Sequence, residues 1–99
     1  MEINVKSLHF DADKKLVEFI NNKVGKLSQV ADNIIEVDVV LKLEKSDVNE
    51  NKIAEISVNI PKITGIFAKR NAKTFEEAVD LSCEALKTQL KKEKGKQRE

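Results

Sequence analysis

The residues of this chain that could carry covalent chemistry are one histidine, His9, and one cysteine, Cys83. A catalytic nucleophile needs a general base within hydrogen-bonding reach and a third group that orients the base. His9 has no partner Cys or Ser in such an arrangement, and Cys83 lies on the apolar side of a predicted helix, where a thiol behaves as a small hydrophobic group. The sequence therefore predicts that the chain is not an enzyme.

Metal and cofactor sites are not indicated either. Asp47, Asn49 and Asn51 begin like a calcium-binding loop, but Lys52 stands where the loop requires glycine and Val58 where it requires glutamate. No cluster of Cys and His suits zinc, and the 3 glycines form no phosphate-binding loop. We expect neither a metal nor a cofactor.

The chemistry that the sequence does favour is the neutralisation of a polyanion. Between Lys87 and Arg98 there are six basic residues and one acidic residue, whereas the formal charge of the whole chain is +1. Residues 34–60 carry three bases and six acids, and residues 61–99 carry ten bases and six acids. Lysines late in a helix offset the helix macrodipole, but this explains only about one or two of them. The segregation favours a nucleic-acid partner, with a solvated basic tail as the alternative.

Length and composition bound the architecture that carries these charges. A chain of 99 residues suffices for one domain with a two-layer core. No apolar run approaches the roughly 20 residues of a membrane span, and the first residues lack the basic and apolar regions of a secretory signal. One cysteine forms no internal disulfide. We expect a cytoplasmic protein with no membrane partner.

Hydrophobic periodicity predicts the order strand, helix, three strands, helix. The predicted elements before the last helix are a strand around Ile3–Val5, a helix from the cap Asp13 to about Lys26, a strand over Val37–Leu43, a turn over Lys45–Asn51, a strand over Ala54–Ile60, a turn at Pro61–Lys62, and a strand over Ile63–Asn71. The core face of the first helix is predicted to be Leu16, Val17, Ile20, Val24 and Leu27.

The last helix is predicted to begin with the capping box Thr74-x-x-Glu77. Its apolar arc consists of Phe75, Ala78, Val79, Ser82, Cys83, Leu86 and Leu90. We expect the helix to fray after about Lys94, where Gly95 interrupts it. The predicted organisation is therefore a single domain over residues 1–94 and a basic flexible tail over residues 95–99.

Clean alternation in the strands predicts a sheet with one buried face and one wet face. Both helices must cover the apolar face, and the first two strands should be parallel neighbours. The predicted fold class is α+β, with the order β-α-β-β-β-α, a four-stranded mixed sheet and two helices on one face, like a double-stranded-RNA-binding domain. The wet face is acidic, with Glu36, Asp38, Glu44 and Glu55. RNA should therefore meet the helices rather than the open sheet.

The aromatic content indicates which kind of RNA the basic surface would recognise. The chain has 4 Phe, no Tyr and no Trp, which leaves little surface for stacking on unpaired bases. A basic surface without such aromatics favours recognition of folded RNA by its phosphates and its shape.

The chain resembles the ribosome hibernation-promoting factors, also called ribosome-associated inhibitors or protein Y. The resemblance rests on the order of elements and on three segments. These are Val39-Val40-Leu41-Lys42-Leu43-Glu44-Lys45, the run Ala78-Val79-Asp80…Leu86…Gln89-Leu90-Lys91-Lys92…Lys94, and Lys23 with the pair Lys26-Leu27. It implies binding in the decoding region of the small ribosomal subunit, across the tRNA and mRNA sites, which silences translation in stressed or resting cells.

The sequence departs from the family pattern at two positions where the family usually has a basic residue. Ala85 stands where the family usually has Lys, and Thr88 where it usually has Arg. Lys87, Lys69 and Arg70 are the expected replacements. The chain also ends without the additional C-terminal domain of the long family members, so a short form is expected.

The expected partner is small-subunit ribosomal RNA, with no DNA, and the free protein is expected to be a monomer. The predicted RNA-binding residues are Lys15, Lys23, Lys26, Lys69, Arg70, Lys87, Lys91, Lys92 and Lys94. Two alternatives stay open. One is a generic double-stranded-RNA-binding module, and the other is a protein-interaction adaptor that uses Val40, Ile53 and Phe67 on the open sheet.

Overall fold

The computed structural model describes residues 1–44 and 49–97, with the backbone alone for residues 94–97. In chain order the elements are strand β1 Glu2–Leu8, helix α1 Lys14–Gly25, a short 3-10 helix Lys26–Gln29, strands β2 Glu36–Leu43, β3 Lys52–Asn59 and β4 Phe67–Ala72, and helix α2 Phe75–Gln97. The sheet has the strand order β1-β2-β3-β4, with β1 and β2 parallel and the other pairs antiparallel. The predicted α+β fold is confirmed. No helix of these described residues is long and apolar enough to cross a membrane.

Both helices begin at the predicted capping residues. The Asp13 carboxylate accepts a hydrogen bond from the Leu16 backbone N–H at 2.8 Å, and the Thr74 hydroxyl accepts one from the Glu77 N–H at 3.1 Å. Each cap satisfies a backbone donor that has no partner inside its own helix. The caps therefore fix where α1 and α2 start.

One hydrophobic core joins the sheet to both helices. Its members include the strand residues and helix residues that alternation and helical spacing predict as buried: Val39, Leu41, Ile56, Val58, Ile20, Leu86 and Leu90. The Ser82 hydroxyl is also fully buried and donates to the Ala54 carbonyl at 3.4 Å, so α2 lies close to β3 at this point. Small residues on both sides permit the close approach.

The start of β4 differs from the prediction. The sequence predicts a strand from Ile63, but Ile63 makes only an isolated bridge to Ile60, and β4 begins at Phe67. Lys62 has φ 69° and Gly65 has φ 80°, so the chain turns twice in the left-handed region before it can become extended. The strand continues to Ala72, which is buried.

The end of α2 also differs. The sequence predicts fraying after Lys94, but the helix continues through Gly95 to Gln97. One glycine within a helix costs about 1 kcal/mol relative to alanine, and the neighbouring Lys, Glu and Gln residues are good helix formers. The division into a domain and a flexible tail stays a prediction, and residues 98 and 99 lie outside the described range, as do residues 45–48 of the predicted Lys45–Asn51 turn.

Gln89 of α2 binds the outer edge of the sheet. Its amide oxygen accepts from the Phe67 backbone N–H at 3.1 Å, and its amide nitrogen donates to the Phe67 carbonyl at 2.8 Å. Phe67 begins the edge strand β4, so these two backbone groups have no neighbouring strand to pair with. We call this pair of hydrogen bonds the Gln89 clamp.

Replacing Gln89 with Leu should lower the free energy of unfolding by about 1–2 kcal/mol. The substitution keeps the volume but removes two hydrogen bonds, each with a net contribution of about 0.5–1.5 kcal/mol, and water can reach the freed groups in part. Urea unfolding measures the change, and amide exchange at Phe67 should become faster. Gln29→Leu, at an exposed position in the short 3-10 helix, is the matched control and should change neither quantity. Equal exchange at Phe67 in all three proteins would contradict the clamp.

Candidate nucleic-acid interface

Four of the predicted RNA-binding lysines are exposed, and no acid lies within ion-pair distance of them among the described residues. They are Lys15 on α1, Lys26 in the short 3-10 helix, and Lys91 and Lys92 on α2. Because their ammonium groups are exposed and no described carboxylate pairs with them, a phosphate can bind them without breaking one of the ion pairs seen in this part of the chain. We call these four residues the free lysines, and RNA binding by this part of the predicted set stays a prediction. Lys94 belongs to the same set, but its side chain lies outside the described part of the chain.

Two other predicted lysines are held by acids where α1 meets α2. The Lys23 ammonium lies 2.9 Å from Asp80, and the Lys87 ammonium lies 3.4 Å from Glu84. The hydrogen bond and the charge of Asp80 raise the pKa of Lys23 above its ordinary value. We call these four residues the charged quartet. Its net charge is zero, so two of the nine predicted cations contribute less to a positive surface than a count of lysines indicates.

Cys83 lies beneath the charged quartet and is almost completely buried. Burial raises the pKa of its thiol from 9.0 to about 11, with smaller effects from the four quartet charges. A thiolate is the reactive form of cysteine, so this side chain is a core residue rather than a nucleophile. His9 is exposed and has φ 73°, which ends β1 by turning the chain.

Lys69 and Arg70 occupy different surroundings. The Lys69 ammonium points to the open face of the sheet, where it lies 3.9 Å from Glu55. Arg70 is exposed on the edge strand β4, and its guanidinium donates to the Lys69 carbonyl at 2.7 Å. The structure therefore does not bring Lys69 together with the free lysines. RNA binding by either residue stays a prediction.

At the two positions that depart from the family pattern, the side chains make contacts within the fold. Ala85 is half-buried and packs against the core, and the Thr88 hydroxyl donates to the Glu84 carbonyl one turn earlier at 3.2 Å. Neither side chain can take over the charge of a lysine or an arginine. On α2 the free lysines therefore lie further along the helix, at Lys91 and Lys92.

The open face of the sheet carries acids on its β1–β2 side. Asn4 donates to Glu36 at 3.4 Å and to Asp38 at 3.1 Å, and no cation pairs with either acid within the described ranges. On the β3 side Glu55 binds Lys42 at 2.7 Å. The face is acidic, as the sequence predicts, and the carboxylates on it that have no described cationic partner repel phosphate.

The apolar patch expected on the open face is not continuous. Ile53 is buried, Val40 is half-buried and Phe67 is exposed, and the strand register puts them in three different cross-strand rows. Glu55 with its two lysine partners lies between them. A cavity of about 280 Å³ at the end of this face is lined by Leu8, His9, Lys42, Leu43, Glu44 and Ile53. No Ser or Cys that could serve as a nucleophile is among these lining residues.

Comparison with known proteins assigns the chain to a family. A family model described as sigma 54 modulation protein / S30EA ribosomal protein matches residues 3–98. The chain belongs to this family. The resemblance predicted from the strand and helix segments is therefore confirmed, and the match includes every free lysine.

Family members with curated names are similar over nearly their whole length. The ribosome hibernation promoting factor of Escherichia coli K12 is 33% identical over 96 residues, which are 97% of this chain and 96% of the relative. A ribosome hibernation promoting factor of Pseudomonas putida is 28% identical over 97 residues, which are 98% of this chain and 90% of the relative.

Solved structures show the same fold. A ribosomal subunit interface protein from Coxiella burnetii superimposes with a TM-score of 0.85 at 26% identity, covering 96% of this chain and 99% of that one. The N-terminal domain of Thermus thermophilus protein Y superimposes with a TM-score of 0.78 at 22% identity, covering 93% of this chain and 98% of that one, and it supports the fold alone.

Proposed function

We propose that this protein binds small-subunit ribosomal RNA through its helical side and inhibits translation by occupying the decoding region, across the tRNA and mRNA sites. The observation that carries the proposal is the group of free lysines on and beside the two helices, in a chain whose named relatives are ribosome hibernation promoting factors. It acts as a monomer and binds neither DNA nor a membrane.

The charge distribution supports one orientation on RNA. Within the described part of the chain, Lys26 and Lys91 lie on the helical side without acidic partners, whereas Glu36 and Asp38 lie on the opposite face without cationic partners. Lysines release counterions when they bind phosphates, and unpaired carboxylates near phosphates are repelled. The protein therefore binds RNA with its helices and leaves the open sheet facing away from the nearest phosphates.

Inhibition then requires no covalent step. The core connects both helices to all four strands, so the domain binds as a rigid body of fixed shape. Phosphate contacts position this body on the RNA, and its volume excludes tRNA and mRNA from the same space. Catalytic groups have no part in the mechanism, which agrees with the buried Cys83 and with the turn position of His9.

Competition with tRNA tests the proposal. The protein should sediment with vacant small subunits, displace bound initiator tRNA, reduce the toe-print of initiation complexes and inhibit cell-free translation. Free duplex RNA should compete poorly, because it offers part of the phosphate array but not the shape of a folded pocket. Filter binding and toe-printing at a stated salt concentration measure these effects.

Two results would contradict the proposal. If duplex RNA bound as tightly as the subunit and tRNA stayed bound, the chain would be a generic double-stranded-RNA-binding module. If binding to the ribosome were independent of salt and were lost on altering the open sheet, the chain would be a protein-interaction adaptor.

A further inference from the structure

The charged quartet places two acids on the helical side, where all the predicted RNA-binding residues are cations. Asp80 and Glu84 are one helical turn apart on α2, and each holds a lysine, Lys23 from α1 and Lys87 from α2. Lys23 also lies 5.9 Å from the centre of the Phe19 ring, which further restrains its ammonium. The side chains remain partly exposed, so RNA that approaches the helical side meets both the acids and the lysines.

We infer that Asp80 and Glu84 are specificity-determining residues, which reject ordinary duplex RNA by holding Lys23 and Lys87 and by facing the phosphates themselves. A regular duplex presents phosphates at even spacing, so at the quartet it must either break two ion pairs or place phosphates against carboxylates. A protein discriminates between partners through such repulsive elements as well as through attraction. The cognate RNA avoids this conflict by presenting hydrogen-bond donors, such as base amino groups or ribose hydroxyls, opposite the two acids.

This inference rests on the proposed function, because it names what kind of folded RNA surface the helical side accepts. It also explains why both signs of charge occur side by side in this region. The helix arc over Asp80, Glu84, Lys87 and Lys91 turns from acidic to basic, and only its basic end has a lysine without a partner among the described residues. The quartet therefore limits where phosphates can bind.

A double substitution with a matched control tests the inference. Asp80→Asn with Glu84→Gln removes both acidic charges but keeps the size of the side chains. Glu36→Gln with Asp38→Asn makes the same change in net charge on the open sheet face. Both variants and the unaltered chain are titrated with a short RNA duplex and with vacant small subunits, at several salt concentrations, after thermal unfolding has shown that each is folded.

The quartet variant should bind the duplex roughly 10–60-fold more tightly at 0.1 M salt, with a salt slope steeper by up to about 1.8, because two lysines become available for phosphates. Its affinity for small subunits should change by a smaller factor. The control variant should gain less than about threefold, because charges further than about 10 Å from the contact are screened. Adding Lys23→Gln to the quartet variant should remove part of the gain.

Equal gains for both double variants would overturn the inference, because net charge alone would then explain the effect. An unchanged duplex affinity, or an equal gain for duplex and subunit, would overturn it as well. The unaltered chain is measured in the same titrations, so a failure of the proposed function is recognised separately, as an absence of binding to small subunits.

Discussion

Leu41→Ala is expected to lower the free energy of unfolding by about 2–5 kcal/mol, in the upper half of that range. Leu41 on β2 is fully buried, and its neighbours in register are Ser7 on β1 and Ala54 on β3. These side chains are too small to fill the space that the substitution leaves. The lost transfer free energy and the remaining cavity therefore both contribute.

The same strand offers a matched control. Leu43→Ala is the same chemical change two residues later, where the side chain is 36% exposed. It should change the free energy of unfolding by less than about 1 kcal/mol, since exposed positions tolerate truncation. Urea unfolding of both variants measures the difference. Equal midpoints for Leu41→Ala and the unaltered chain would show that the core does not depend on this position.

Removing the free lysines is expected to weaken binding to small subunits by about 10²–10³-fold at 0.1 M salt. The variant replaces Lys15, Lys26, Lys91 and Lys92 with Gln. Each lost phosphate contact reduces the salt slope by up to about 0.9, so loss of all four reduces it by up to about 3.6. Titrations at several salt concentrations measure both quantities. The fold should be unaffected, because all four side chains are exposed.

Lysines outside the helices provide the control for this variant. Lys6 on β1 and Lys62 in the β3–β4 turn are exposed. Lys6→Gln with Lys62→Gln should leave the salt slope within about 0.5 of its original value, whereas Lys91→Gln with Lys92→Gln should lower it by up to about 1.8. If the two pairs reduced binding equally, the helical side would not be the RNA-binding surface, and the effect would reflect net charge.

Most of the fold could be predicted because its strands and helix starts have local sequence signals. Val37, Val39 and Leu41 recur at every second position, with Val40 as the one apolar residue between them, and this alternation identifies a half-buried strand. Asp13 and Thr74 mark helix starts that the structure confirms. The start of β4 could not be predicted in the same way. An apolar residue at position 63 suits a strand, and the two positive φ values that delay the strand belong to a turn conformation that periodicity does not reveal.

The site was less predictable, because charge pairing depends on which helices meet. Lys87 and Glu84 are three residues apart, a spacing that indicates a pair on a helix. Lys23 and Asp80 are 57 positions apart, so only the packing of α1 against α2 shows that they bind each other. Gln89 likewise gave no signal of its role, since an isolated glutamine within a helix is ordinary.

The Gln89 clamp has a consequence for how the free lysines are presented. Gln89 is joined to the sheet edge through Phe67, and Lys91 and Lys92 follow it within one helical turn. The helix backbone at these two lysines is therefore already ordered when the protein is free. Association with RNA then loses side-chain freedom at the lysines but not the much larger backbone entropy of forming a helix. The basic end of α2 is in this sense preorganised, and the residue responsible carries no charge of its own.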